Sequence, residues 1–264
     1  MNRETREHRN PKPVKRIELS EKFPKWRLLV AILFAALGIG ALVSAATSFF
    51  KVDSGWCTVE TASAAETNCG SDFVFRYNLG ASGMSASEEY KQVQALYTDA
   101  MVKAYELFHD TEEFDGVNNI CYINQHPNEE ITVDEVLYHA FSQVNDQQNR
   151  LLYFGPVYEQ YVNLFGCRDD SETMNFDPYQ NEDIASYFSE IAVFANDPEK
   201  IDIKLLGNNQ IKLYVSDDYL SYADEIGFSN FINFYFMKNA VIVDYVADLM
   251  EEQGHTFGSI SSFD

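Results

Sequence analysis

Residues 28–50 read LLVAILFAALGIGALVSAATSFF, a run of 23 residues without a charged side chain. At about 1.5 Å per residue, a helix of this length reaches roughly 34 Å, which exceeds the roughly 30 Å of a bilayer's hydrocarbon core. Lys25 and Arg27 precede the run with Trp26 between them, and Lys51 follows it. This pattern predicts a transmembrane helix over 28–50 with an aromatic residue at the interface.

The charges on the two sides of this run are very different. Residues 1–27 form a basic tail with nine basic and four acidic side chains, whereas the rest of the chain has 10 basic and 37 acidic ones. Because basic flanks stay in the cytoplasm, we predict a single-pass cell-membrane protein with an extracytoplasmic C-terminal domain. A cleaved signal peptide is the competing interpretation, since Val43, Ser44 and Ala45 form a small-residue cleavage pattern after the apolar run.

Composition bounds what the outer part can do. Apolar residues make up 46% and aromatic residues 14% of the chain, which predicts a folded body rather than disorder. The strongly acidic outer part repels phosphodiester backbones and anionic lipids, so nucleic acid is excluded as its partner. The membrane itself is a partner through the apolar run, and a protein substrate or a cell-envelope protein is a possible second partner.

Hydrophobic periodicity and capping residues predict an α+β (mixed α/β) domain over 87–264, after a stalk and first strand over 51–86. The last residues look like a strand that has just begun, which predicts that the chain is a fragment of a longer protein. The predicted helices are 85–109, 132–144 with a capping box from Thr132 to Glu135, 157–165, 181–194, a short acidic helix after Ser216, and 240–253 ended by Gly254; the predicted strands are 73–77, 210–216, 230–236 and 258–263.

Motif searches exclude several classes of site. The sequence contains no P-loop, H-E-x-x-H, G-x-S-x-G or EF-hand pattern, and its five histidines are scattered, so we assign no metal-ligating residue. All four cysteines lie on the predicted outer side, where disulfides can form. We favour a bond between Cys57 and Cys69, with Cys121 and Cys167 as buried thiols. The aromatic run FSNFINFYF over 228–236 fits either a buried strand or a stacking surface for a planar ligand.

Four short segments between Asp115 and Asp264 matter for their order along the chain. They are NNICYIN over 118–124 before a capped helix, Phe-Gly-Pro over 154–156, INFYFMKNA over 232–240, and Asp244 followed ten residues later by Gly254. This order resembles the FAD:protein FMN transferase (ApbE-like flavin transferase) family. Seven residues stand in the positions of the family's cofactor contacts: Asn124, Phe154, Gly155, Asn233, Lys238, Asn239 and Asp244.

The resemblance implies an enzyme that binds FAD with Mg²⁺ and transfers FMN to a Thr or Ser hydroxyl of an extracytoplasmic protein, releasing AMP. The chain departs from the family's pattern in several places. Gly155 and Asn233 replace aspartates, and Lys238 lies one residue before the position of the family's lysine, where Asn239 stands. Residues 261–264, Ser-Ser-Phe-Asp, stand where the family has Asn-x-Gly-Gly. Two further hypotheses stay open. The domain is a non-catalytic ligand-binding or protein-interaction module, or a cell-envelope protein whose acidic face docks basic proteins.

Overall fold

The computed structural model describes residues 25–49, 52–62, 69–166 and 176–263. They belong to two compact units, with the boundary between Lys51 and Val52. The first unit contains helix α1 (Lys25–Phe49), and residues 25–45 of it are long and apolar enough to cross a membrane. The helix predicted over 28–50 is therefore confirmed to within a few residues, while most of the basic tail lies outside the described residues.

The second unit mixes helices and strands, which confirms the α+β class. Its described helices are α2 (Ala86–Phe108), α3 (Ile120–Gln125), α4 (Glu135–Asp146), α5 (Leu151–Gly166), α6 (Glu182–Asn196), α7 (Asp217–Ile226) and α8 (Lys238–Glu252). Its described strands are β1 (Gly55–Thr58), β2 (Phe73–Leu79), β3 (Glu130–Thr132), β4 (Ile201–Gly207), β5 (Gln210–Val215) and β6 (Gly258–Ser262).

The strands form two antiparallel sheets of three strands each. The first has the order β1-β2-β6 and the second the order β3-β5-β4. In the first sheet, β2 buries Phe73, Phe75, Tyr77 and Leu79 on one face, against the core that α2 and α8 complete. The second sheet packs against α4 and α6.

Local signals in the sequence account for several helices. Ser85 caps α2 by accepting a hydrogen bond from the Glu88 backbone N–H. Asn181 caps α6 in the same way, by accepting hydrogen bonds from the backbone N–H groups of Asp183 and Ile184. Gly254 has a φ of +80°, the conformation expected just after α8. The predicted helices 85–109, 181–194 and 240–253, the short helix after Ser216 and the strands 73–77, 210–216 and 258–263 are confirmed with small shifts of their ends.

The stalk prediction is wrong for residues 52–62. Strand β1 pairs with β2, from Gly55 opposite Leu79 to Thr58 opposite Arg76. Val59 is then buried in the core, and its backbone N–H donates to the Phe75 carbonyl. This segment is therefore part of the folded unit.

Two helix starts were predicted incorrectly. Thr132 belongs to β3, and α4 is capped instead by Asp134, whose carboxylate accepts a hydrogen bond from the Val136 N–H. Helix α5 begins at Leu151 rather than near Val157, with Pro156 inside it. The helix therefore includes residues 151–156, which lie outside the helix predicted over 157–165.

The strand predicted over 230–236 is also wrong, because these residues form a loop. A core contact anchors this loop. Phe234 is buried, and the centre of its ring lies 5.0 Å from that of Phe108 and 5.4 Å from that of Phe141. Its polar backbone groups bond to side chains and to α5 instead of to a neighbouring strand. We call residues 228–237 the aromatic loop.

The predicted bond between Cys57 and Cys69 does not form, and both residues are free, partly buried thiols. Cys121 is a buried free thiol, as predicted, and Cys167 lies outside the described residues.

Candidate functional site

The Phe-Gly-Pro segment of α5 is where the aromatic loop meets the helix. Pro156 has no N–H, so the Leu152 carbonyl four residues earlier lacks its helical partner. The backbone N–H of Asn233 donates to that carbonyl at 3.1 Å. A Cβ on Gly155 would lie 1.9 Å from Asn233 Oδ1 and 2.9 Å from its carbonyl oxygen. The proline therefore frees an acceptor for the loop, and the glycine gives it room to approach.

The side chain of Asn233 connects the loop to two carboxyl groups. Its Nδ2 donates to Glu159 Oε2 at 2.6 Å and to Asp110 Oδ2 at 3.1 Å, while its Oδ1 accepts from the Tyr235 N–H at 3.2 Å. The residue is only 3% exposed. With all these groups used, Asn233 holds Asp110 and Glu159 close to each other.

The carboxyl pair of Asp110 and Glu159 favours a shared proton. The pKa of Glu159 is raised mainly by its partial burial. Repulsion from the Asp110 carboxylate raises the pKa further, and so does the hydrogen bond that protonated Glu159 donates to Asp110. Lys238 and the Asn233 amide act in the opposite direction on that pKa. The raised pKa means that Glu159 keeps its proton to a higher pH than an ordinary glutamate does.

A cavity of about 290 Å³ between α2, α5 and α8 is lined by Asp110, Glu159 and Lys238, among other residues, and we call it the carboxyl cavity. One part of its wall is apolar, with Phe73, Met101, Phe108 and Ile242, and the other is polar. The polar wall carries Asp72, His109, Asp110, Thr111, Glu159, Lys238 and Asn239. Three carboxyl groups and one lysine therefore line the same partly apolar space.

Of the seven predicted contacts, four come together here. Lys238 and Asn239 line the carboxyl cavity, and Asn233 and Gly155 pack against each other beside it. Phe154 packs against the hydrophobic core and is not part of the cavity wall.

Asn124 lies at the other end of the aromatic loop and uses its whole amide on it. Its Oδ1 accepts from the N–H groups of Phe231 and Ile232, both at 3.0 Å. Its Nδ2 donates to the Ile232 carbonyl at 2.9 Å and to the Asn230 side chain. Because Asn124 is buried and its donors and acceptor are all engaged, it fixes the loop.

Asp244 lies away from this site. It is exposed on α8 and lines a different groove, between α4 and α8. Asp244 therefore lines a different surface from Lys238 and Asn239, since the groove and the carboxyl cavity share no lining residue.

Asp110 and Glu159 were not among the predicted contacts. Glu159 lies four residues after Gly155, one helical turn further along α5, so a carboxyl group was available near the position where the resemblance found none. Asp110 follows the end of α2 and carries no pattern that points to Glu159. Both carboxyl groups accept hydrogen bonds from Asn233 of the aromatic loop, so only the tertiary structure brings the two together.

The described residues do not fit a Mg²⁺-bound FAD. The carboxyl cavity offers a pair of carboxyl groups already bonded to Asn233, and no group of three His, Cys, Asp or Glu suited to a metal occurs in the described part of the chain. Its volume is at the lower end of ligand pockets, which span about 300–1,000 Å³. The α4–α8 groove is larger, about 650 Å³, but Glu135, Asp244, Asp248 and Glu252 would repel a pyrophosphate there.

Comparisons with known proteins add no family. No protein-family model and no curated protein matches this chain. The resemblance to FMN transferases stays a prediction.

The carboxyl pair yields a prediction for stability. The raised pKa of Glu159 means that the folded state prefers the protonated acid. The associated stability is fully present below the pKa of this residue in the unfolded chain, and it is lost as the pH rises through the raised value. Glu159→Gln, which cannot ionise, is therefore expected to unfold about 2–4 °C above the wild type at pH 8 and to lose that advantage at pH 4.

Thermal unfolding followed by tryptophan fluorescence at both pH values measures this difference. Glu199→Gln, which removes a carboxylate from an exposed turn, is the matched control and is expected to change little at either pH. An advantage of Glu159→Gln that is the same at pH 4 and pH 8 would contradict the carboxyl pair.

Proposed function

We propose that the chain is a membrane-anchored, non-catalytic ligand-binding protein of the cell envelope. In this proposal α1 crosses the membrane, the basic tail lies in the cytoplasm, and the second unit is extracytoplasmic. The ligand is a small molecule with an amine and an apolar or aromatic part, bound in the carboxyl cavity.

The anchor rests on α1 and on the charges that flank it. The helix is apolar along residues 25–45, and the basic tail precedes it. A retained helix of this kind keeps a chain in the membrane fraction through alkaline carbonate extraction. Release of the chain by that treatment would contradict the anchor and favour a cleaved signal peptide.

The single observation that carries the ligand proposal is the pair of Asp110 and Glu159 in a cavity with an apolar wall. The positive charge of an ammonium group can replace the proton between the two carboxyl groups. Hydrogen bonds between an ammonium and carboxylates are charge-assisted and therefore stronger than those between neutral groups. Lys238 already offsets one of the carboxyl charges, and Asp72 adds a third carboxylate to the wall. The remaining negative charge selects a cation.

The apolar wall defines the rest of the ligand. Phe73, Met101, Phe108 and Ile242 contribute ring and aliphatic surface to the lining of the same cavity. Burying such surface against an apolar ligand is favourable, at roughly 25 cal/mol per Å². A small aromatic amine satisfies both walls and fits the volume.

FMN transfer is the competing proposal, and the described residues support it less. Asn124 and Asn233 are two of the amides that the resemblance assigns to the cofactor, yet their hydrogen-bonding groups are engaged within the protein. A ligand could reach these amides only by displacing the aromatic loop. Such a displacement would break buried hydrogen bonds, each costing about 1–3 kcal/mol when a partner is left unsatisfied.

Isothermal titration of the full chain in detergent micelles tests the ligand proposal. The probes are 2-phenylethylamine and, as the neutral counterpart, 2-phenylethanol. We expect the amine to bind at least tenfold more tightly than the alcohol at pH 8, a difference of about 1.4 kcal/mol. Amine affinity should fall as the pH is lowered through the raised pKa of Glu159, because the protonated acid no longer offers a full charge.

Variants locate the binding site. Glu159→Gln is expected to weaken the amine by about tenfold, while Glu199→Gln, which removes the same charge from an exposed turn, leaves its affinity unchanged. Equal binding of amine and alcohol, or equal loss in both variants, would contradict the ligand proposal. Titration of FAD with Mg²⁺ forms the other arm: saturable quenching of flavin fluorescence that Lys238→Ala weakens would favour the flavin site instead.

A further inference from the structure

A second concave surface lies between helices α4 and α8, and it is independent of the carboxyl cavity. This α4–α8 groove has a volume of about 650 Å³. One wall is the face of α4 that carries Val136 and His139, the other is the face of α8 that carries Asp244 and Asp248, and Lys103 of α2 also contributes to its lining. An open groove bounded by two helices is the shape that receives a third helix.

The groove has apolar side chains along its length. Val136 and Tyr138 of α4, with Val241, Tyr245 and Leu249 of α8, line it and are partly buried against the hydrophobic core. On α8 the positions 241, 245 and 249 repeat every four residues, so they form one continuous stripe. A partner with its own apolar stripe would bury these side chains further.

Carboxylates run beside this stripe. Asp244, Asp248 and Glu252 follow one another at four-residue steps along α8, about 6 Å apart, and all three are exposed. Glu135 adds a fourth carboxylate from α4. Like charges at this spacing repel, and negative charge at the C-terminal end of a helix is also unfavourable.

No ion pair within the described part of the chain joins any of these three carboxylates of α8. The ion pairs there join other residues, and the last turn of α8 carries no basic side chain. Lys103 lines the groove but is paired with Asp134 at 2.9 Å. A row of repelling charges beside an apolar stripe is therefore compensated best by cations from outside.

We infer that the α4–α8 groove docks a basic amphipathic helix of another envelope protein. The partner helix carries Lys or Arg at four-residue steps, to face Asp244, Asp248 and Glu252, and an adjacent apolar stripe that packs on Val241, Tyr245 and Leu249. The charges set its register and the apolar contact holds it. Small molecules do not explain the row, because the three carboxylates extend over about 12 Å of helix.

A designed peptide tests this inference. The probe is a fluorescein-labelled helical peptide of about three turns, with Lys at four-residue steps and Leu on the adjacent stripe, titrated with the full chain in detergent micelles by fluorescence anisotropy. A peptide with Glu in place of each Lys is the negative probe. We expect the Lys peptide to bind and the Glu peptide to show no saturable binding.

Two triple variants that remove equal charge decide whether the groove is the site. Asp244→Asn with Asp248→Asn and Glu252→Gln is expected to weaken the Lys peptide at least tenfold. The matched control, Glu199→Gln with Asp224→Asn and Glu225→Gln, removes three exposed carboxylates elsewhere and is expected to change affinity less than twofold. Equal weakening by both triples, or no binding of the Lys peptide to the wild type, would overturn the inference.

Discussion

Alanine at position 155 is expected to destabilise the second unit by about 3 kcal/mol. The added Cβ would lie 1.9 Å from Asn233 Oδ1 and 2.9 Å from the Asn233 carbonyl oxygen, so both the side chain and the backbone of the loop must move. The side chain cannot simply rotate away, because Asp110 and Glu159 hold its amide. Unfolding in urea, followed by the fluorescence of Trp56, measures the loss.

The sign of this effect separates two explanations. A glycine inside a helix normally costs about 0.5–1 kcal/mol relative to alanine, so Gly155→Ala would stabilise the protein if the space around it were open. Asn163→Ala on the exposed face of the same helix is the control, and it is expected to change stability by less than about 0.5 kcal/mol. Stabilisation by Gly155→Ala would contradict the close approach of the loop.

Truncation of Asn124 to alanine is expected to cost at least about 3 kcal/mol. Its amide satisfies two buried backbone N–H groups and one carbonyl of the aromatic loop, and alanine leaves these without a partner. Asn124→Asp keeps the acceptor but loses the donor to Ile232, so an intermediate loss is expected. Urea unfolding of the three proteins gives the order directly.

Asn118→Ala is the matched control for this loss. Its amide donates a single hydrogen bond, to the Thr132 carbonyl, in a more exposed position, so we expect less than about 1 kcal/mol. A small effect of Asn124→Ala on stability would contradict the conclusion that Asn124 fixes the aromatic loop. The Asn124 amide could then serve as a ligand contact, as the resemblance implies.

Elements with local signals were predictable from the sequence. Ser85 and Asn181 indicate the starts of α2 and α6, because a capping side chain accepts a hydrogen bond from a backbone N–H only two or three positions later. The hairpin of β4 and β5 also has a local signal, the pair Asn208 and Asn209 between the strands. Both residues adopt a positive φ, which is typical of a two-residue hairpin turn. The short segments β1, β3 and α3 offer too few residues for a periodic pattern.

The aromatic loop shows why other parts could not be predicted. Its alternating apolar residues are typical of a strand, but the acceptor for Asn233 N–H is the Leu152 carbonyl that Pro156 leaves open, 81 positions away in the chain. The same holds for the site. Asp110 and Glu159 are brought together against their mutual repulsion by tertiary packing, and no spacing rule describes such a pair.

The first sheet ties the two ends of the second unit to each other. Strand β2 takes one neighbour from β1 and the other from β6, whose first residue, Gly258, comes 179 positions after Leu79. At roughly 5–20 residues per second of synthesis, the edge of β2 that β6 will cover waits about 10–40 s for its partner. During that interval Phe73, Phe75 and Tyr77 belong to an incomplete sheet with an open edge, the state in which a nascent chain most readily pairs with another copy of itself.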